Sequence, residues 1–156
     1  MKVQNKERGE TSRLSSAEIS KDVGLLLAKL HALGSNLNNR ALAEFDLRER
    51  SFSVLTLACS GLEPTQRELA DFLSLDPSQI VSLVDELENR GLVERAPGKQ
   101  DRRVKIVAAT ADGIAIHDKA REALQACEMA QLAALTENEA AQLKSLLGKA
   151  LWGTET

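Results

Sequence analysis

The 156-residue chain has no tyrosine, one tryptophan (Trp152), three phenylalanines, three prolines, two histidines and two cysteines. With so few aromatic residues, and leucine and alanine as its main apolar residues, it leans towards helix and away from an all-β architecture. Two histidines leave little room for a catalytic constellation. No Ser/His/Asp ordering, phosphate-binding glycine loop or Cys/His cluster is present, so we expect no enzyme, no cofactor and no metal. Cys59 and Cys127 lack CxxC spacing and lie among apolar residues, which predicts buried, reduced thiols. Neither has a basic neighbour to lower its pKa, so redox sensing is the less favoured reading. The apolar runs are only a few residues long, too short to span a bilayer. Residues 1–16 alternate polar and charged side chains without the apolar stretch of a signal peptide. The expected location is the cytoplasm.

Against these deficits stand 43% hydrophobic and 28% charged residues, ordinary values for one globular domain with a real core. The net charge of −3 argues against indiscriminate coating of nucleic acid, but its distribution is uneven. Between Arg90 and Lys105 six basic residues (Arg90, Arg95, Lys99, Arg102, Arg103, Lys105) face two acidic ones (Glu94, Asp101), a local net of +4. A cationic patch in an acidic chain suits a phosphate backbone.

The helix signals follow in order. Ser15 or Ser16 is expected to cap a long first helix, with Leu26, Leu30, Leu33 and Leu37 on one stripe. Asp46 or Glu49 opens a second helix, which Gly61 ends. Thr65-Gln66-Arg67-Glu68 is a capping box that starts a short third helix. Asp76-Pro77-Ser78-Gln79 starts a fourth, with Asp as N-cap and proline at the first helical position. Ile80, Leu83, Val84 and Leu87 form its apolar face, and Gly91 stops it. Two short helices on a tight connection make a helix-turn-helix. Residues 91–95 and 103–107 read as two strands around a polar turn, a β wing. Thr110 then caps a fifth helix, and Thr136-Glu137-Asn138-Glu139 is a capping box for a sixth.

Three phrases in fixed order carry a resemblance: Leu87-Glu88-Asn89-Arg90-Gly91-Leu92-Val93, Asp101-Arg102-Arg103 and Thr110-Ala111-Asp112-Gly113. From Leu73 to Gly113 the chain resembles the MarR family of transcription regulators, and the flanking helices match that family's helical frame. The resemblance implies a mainly α fold: a winged helix-turn-helix (46–109) with a two-strand wing, and long N- and C-terminal helices (17–45 and 110–153) forming a dimerisation frame behind a polar tail (1–16). It implies a repressor that binds double-stranded DNA as a homodimer, with affinity modulated by a small aromatic or anionic effector. Twofold symmetry then predicts a pseudo-palindromic operator with half-sites about one helical turn apart. Apolar stripes on the first and last helices, more than a lone winged helix can cover, point the same way.

The expected DNA-binding residues follow from placement. Pro77, Ser78, Gln79 and Ser82 lie off the apolar stripe at the start of the recognition helix, where base edges are read. Gln79 suits adenine; the alternative for Ser78 and Gln79 is helix capping. Thr65, Gln66 and Arg67 are placed for phosphate through exposed amides and one cation. Lys99, Arg102 and Arg103 stand at the wing tip, with Arg95 and Lys105 as phosphate supports. The resemblance makes Arg103 the groove-facing residue, oriented by a charged hydrogen bond that it donates to Asp101. It also implies a cleft for the effector lined by His31, Asn38, Arg50 and Ser51.

Two departures from the family pattern stand out. Ser82 sits where many relatives carry a basic residue, and Asp85 and Glu86 make the recognition helix partly acidic. A winged-helix module that binds protein without DNA is therefore the alternative, although the basic wing speaks against it.

Overall fold

The computed structural model describes residues 13–153. Most of the expected polar tail, residues 1–12, lies outside them. Six helices and one hairpin follow in the order α1 (Val23–Leu42), α2 (Glu49–Cys59), α3 (Gln66–Leu73), α4 (Pro77–Asn89), β1 (Val93–Pro97), β2 (Lys105–Ala109), α5 (Ala111–Gln131) and α6 (Glu137–Trp152).

The first helix starts later than its sequence suggests. Ser15 and Ser16 do not cap it; residues 14–16 and 18–21 form separate 3₁₀ turns, and Asp22 is the residue before α1. Local bonding explains the break, because the Ser20 hydroxyl donates to the carbonyls of Ser15 (2.7 Å) and Ala17 (2.6 Å). Side chains that bond nearby backbone compete with helix formation in this way. Leu30 and Leu37 of the expected stripe are half-buried, whereas Leu26 and Leu33 remain exposed on the single chain.

The core sits where α2, α3 and α4 meet the hairpin. Leu55, Leu69, Ile80, Val84, Leu87 and Val107 are almost fully buried there, joined by Leu42 from the end of α1. Each such side chain contributes about 1.5–3 kcal/mol when removed from water. Both short helices are set by their caps. Thr65 Oγ1 accepts from the Glu68 amide while Glu68 accepts from the Thr65 amide, so orphan donors at the start of α3 are satisfied reciprocally. Ser74 adopts a left-handed conformation (φ 52°) and turns the chain into α4.

The strands lie two residues further along than expected. β1 pairs antiparallel with β2 from Val93↔Ala109 to Pro97↔Lys105, leaving residues 98–104 as the turn. Thus Arg103 belongs to the turn and not to a strand. The register is fixed from outside the hairpin: the Val107 amide donates to the Pro64 carbonyl (2.8 Å), docking β2 onto the loop before α3.

The start of α5 gives a physical reason for Thr110-Ala111-Asp112-Gly113. Thr110 Oγ1 donates to the Gly91 carbonyl (2.6 Å) and accepts from the Gly113 amide (3.0 Å). Gly113 lies against the carbonyl of Leu92 so closely that a Cβ would overlap it. Further along, α5 packs on α1, where Gln131 donates to the Leu30 carbonyl (2.7 Å), and on α2, where His117 stacks on Phe52 with centroids 5.4 Å apart. The last helix is different. No residue of α6 is buried; it is held by the ion pair Lys144–Glu128 and by Trp152 stacking on Phe72 of α3, centroids 5.5 Å apart.

Candidate nucleic-acid interface and adjoining cleft

The first turn of α4 presents Pro77, Ser78, Gln79 and Ser82 outward while Ile80, Val84 and Leu87 are buried beneath them. These four residues carry no formal charge, and Val81, which the sequence reading passed over, is exposed beside them. Gln79 bends back so that its side-chain carbonyl accepts from the Asp76 amide at 3.3 Å. Capping therefore uses its oxygen and leaves its NH₂ donors outward. The Ser82 hydroxyl donates to the Ser78 carbonyl (3.0 Å) and keeps its acceptor lone pairs.

The start of α3 is less available than expected. Thr65 Oγ1 also donates to Glu68 (2.8 Å), so the Glu68 carboxylate is folded back onto the helix N-terminus. Bonds from the Thr65 backbone and side chain hold this carboxyl below the ordinary carboxylate range. The Gln66 side chain is committed to Arg95. Of the three residues expected to meet phosphate here, Arg67 is the most available: it is exposed and only loosely paired with Asp71, at 4.0 Å.

The basic patch divides into tied and untied cations. Arg90 donates from both terminal guanidinium nitrogens to the carbonyls of Asp46 (2.5 Å) and Phe45 (2.8 Å), anchoring the end of α4 to the turn after α1. Arg95, expected to support phosphate contacts, is turned inward. It donates to Gln66 Oε1 (2.7 Å), Asp85 Oδ1 (2.6 Å) and Glu88 Oε2, and its side chain is 24% exposed. Burial alone would lower the pKa of this guanidinium; the bonds to Asp85 and Glu88 raise it instead. Lys99 is paired with Glu63 at 3.1 Å. Arg102, Arg103 and Lys105 are exposed and form no ion pair among the described residues.

Asp101 plays a different part from the one implied by resemblance. Its carboxylate accepts from the backbone amide of Arg103 (2.9 Å) and not from the guanidinium. Asp101 thus shapes the turn, an Asx-type bond that sets the backbone from which Arg103 projects. The Val104 amide donates to the Asp101 carbonyl (3.1 Å) and the Gly98 amide to the Val104 carbonyl (2.9 Å), closing the wing tip.

Behind this surface lies a cleft of about 1550 Å³ between α1, the start of α2 and the α3–α4 turn. His31, Asn38, Arg50 and Ser51 all line it. Ser51 is 2% exposed, and its hydroxyl donates to the Arg48 carbonyl (3.0 Å) and accepts from the Arg48 amide (2.9 Å), so its polar atom is already paired within α2's first turn. Asn38 donates to Glu49 (2.8 Å), which also accepts from Ser35 (2.5 Å), while Asn39 accepts from the Glu49 amide (3.0 Å). This network, invisible as a motif, pins α1 to the start of α2. Arg48 and Arg50 line the cleft without an ion pair among the described residues, and Phe52 and Leu124 supply apolar wall. Glu86 also lines the cleft, so its charge is directed away from the outer face of α4.

The MarR family model matches residues 47–105. The multiple antibiotic resistance protein MarR of Salmonella typhimurium is 31% identical over 131 residues, 83% of this chain and 90% of that protein. Among solved structures, CouR from Rhodococcus jostii bound to p-coumaroyl-CoA is 39% identical with a TM-score of 0.80, covering 90% of this chain and 99% of that one. A mutant MarR from Escherichia coli complexed with operator DNA is 30% identical with a TM-score of 0.71, covering 82% of this chain and 92% of that one.

Proposed function

Because this chain belongs to the MarR family of transcription regulators, we propose that it represses transcription by binding a pseudo-palindromic operator as a homodimer, under the control of a small aromatic or anionic effector. The observation that carries this reading is the uncharged outer turn of α4 beside a wing whose Arg102, Arg103 and Lys105 have no intramolecular ion pair among the described residues. Exposed cations of this kind gain from displacing condensed counterions and from the negative potential of a narrow minor groove. Gln79, Ser78 and Ser82 read base edges in the major groove. The acidic residues that favoured a protein-binding module lose that meaning, since Asp85 is paired with Arg95 and Glu86 lines the cleft.

Residues 17–45 and 110–153 form the frame and residues 46–109 the DNA-reading lobe. Exposed Leu26, Leu33, Leu146 and Leu151 on the terminal helices support burial against a second copy. No helix among the described residues is long and apolar enough to cross a membrane; duplex DNA as partner supports a cytoplasmic location. The effector occupies the cleft, its anionic group on Arg48 or Arg50 and its ring on Phe52. Two solved relatives, one bound to p-coumaroyl-CoA and one to operator DNA, fit this pair of ligands.

Selection of bound sites from a random duplex library tests the reading. The expected result is an enriched pseudo-palindrome whose affinity falls steeply with salt. Failure to retain any duplex at low salt overturns it. Calorimetric titration with aromatic carboxylates, with and without Arg50→Ala, tests the effector.

A further inference from the structure

We propose that Arg95 is the positioning residue that sets the wing against the recognition helix, so that it determines operator specificity without touching DNA. The inference rests on the DNA-binding reading above and adds to it a residue that acts through others.

Arg95 lies at the centre of β1, paired across the hairpin with Val107. From there its guanidinium reaches two helices. One terminal nitrogen donates to Asp85 Oδ1 (2.6 Å), the other to Glu88 Oε2, and Nε donates to Gln66 Oε1 (2.7 Å). Its own backbone amide donates to Glu88 Oε1 at 3.0 Å, so Glu88 grips both ends of the residue. Asp85 and Glu88 are one helical turn apart on α4, and Gln66 is the first residue of α3. One side chain therefore joins the wing to both helices of the helix-turn-helix.

The geometry suits a guanidinium and no other side chain. Its donors are fixed in a plane and diverge, so three acceptors on two helices are engaged only when those helices and the strand hold one relative orientation. A lysine ammonium is a point charge on a flexible stem and fixes no such angle. The arrangement also accounts for the acidic residues of α4. An unpaired Asp85 on a DNA-facing helix would repel phosphate; paired with Arg95, it serves as a strut. Base readout by α4 and insertion of Arg103 in the adjoining groove are two contacts with one duplex. Their joint strength depends on the angle between helix and wing, and Arg95 holds that angle.

The test uses the intact dimer, the operator duplex selected with wild-type protein and a random duplex of equal length. Arg95→Gln is expected to lower operator affinity at least tenfold, to leave random-duplex affinity within about twofold, and to leave the slope of log affinity against log salt unchanged. Arg95→Lys should not rescue operator preference. Asp85→Asn gives the sharper result: removing a negative charge from a DNA-facing helix would by charge alone raise affinity for both duplexes, whereas the proposal requires operator preference to fall. Combined with Arg95→Gln, its effect should be far less than additive. A uniform loss on both duplexes with a salt slope about one unit smaller would make Arg95 a phosphate contact and overturn the proposal. Asp85→Asn binding that rises equally on both duplexes, or unchanged operator preference in a folded Arg95→Gln dimer, overturns it too. Should Arg95→Gln not fold, Asp85→Asn, whose side chain is half exposed, decides alone. Failure of the wild-type protein to bind any duplex would instead refute the DNA-binding reading itself.

Discussion

The carboxylate of Glu63 accepts from both the ammonium and the backbone amide of Lys99, each at 3.1 Å. Glu63 reaches this position from a left-handed backbone (φ 55°) in the loop before α3, and its carboxyl is held below the usual range by the Lys99 bonds. Lys99, though largely exposed, is thereby tied to the loop before α3. Glu63→Gln should release it. Random-duplex affinity is expected to rise, with a salt slope larger by about one unit. Mobility shifts across a salt series check this; an unchanged slope would mean that Lys99 stays clear of DNA in either state.

Arg103 projects from a turn whose backbone Asp101 fixes. Arg103→Ala should leave helix content, melting temperature and dimer mass as in wild type while weakening operator binding severely. Asp101→Ala should weaken it less, by loosening the turn and not by removing the cation. Operator affinity equal to wild type in a folded Arg103→Ala dimer would reduce the wing to a solvated hairpin.

Gln79 combines a capping oxygen with outward NH₂ donors. Gln79→Ala is expected to relax preference at one position in each half-site, costing about 1–3 kcal/mol there. Gln79→Glu keeps the capping acceptor but removes the donors, so it should preserve the melting temperature and still lose that preference. Equal loss across all sequences would leave Gln79 as a cap only.

On the terminal helices, Leu146 and Leu151 are more than half exposed on the single chain, whereas Leu147 is half-buried. Lysine at Leu146 and Leu151 should thus split the dimer without unfolding the chain, while Leu147→Lys should also destabilise it. Light scattering with parallel thermal melts separates the two outcomes. A wild-type mass equal to one chain would remove the dimer from the proposed function.

Acid stability should be sensitive to two caps. Glu68 and Glu139 both have lowered pKa values, through bonds from the backbone and side chain of Thr65 and Thr136 respectively. A carboxyl lowered by folding contributes stability above its unfolded pKa and loses it as pH falls through the folded one. Melting temperature should therefore decline below the ordinary glutamate range. Glu68→Gln with Glu139→Gln keeps an acceptor at both caps and should flatten that decline. A decline as steep as in wild type would assign the acid sensitivity to other carboxylates.

Where structure is decided by residues three or four apart, it was legible in the sequence. The capping boxes at Thr65 and Thr136 and the buried face of α4 are of this kind. The first helix misled because Ser15 and Ser16 are good capping residues, whereas the Ser20 side-chain bonds and the extended backbone at Asp22 delay its start. The wing strands were misplaced because their register depends on Pro64, far outside the hairpin. The cationic patch was visible but its division was not. Arg90 and Lys99 find their partners 44 and 36 positions away, and Arg95 reaches back 29 to Gln66. Charge counting cannot distinguish a tied guanidinium from an untied one. The cleft was reached through resemblance, yet Asn38 was already committed to Glu49, eleven positions away in the next helix.

Trp152, stacked on Phe72 where α6 meets α3, is the chain's only indole. Its emission therefore reports on a single place, the seam between the terminal helix and the first helix of the helix-turn-helix. Any ligand or duplex that tilts those helices relative to one another changes the ring overlap and the water around the indole. The protein thus carries an intrinsic optical gauge. Titrating operator and candidate effectors while following tryptophan wavelength and lifetime would show, without a label, whether the two ligands move that seam in opposite senses.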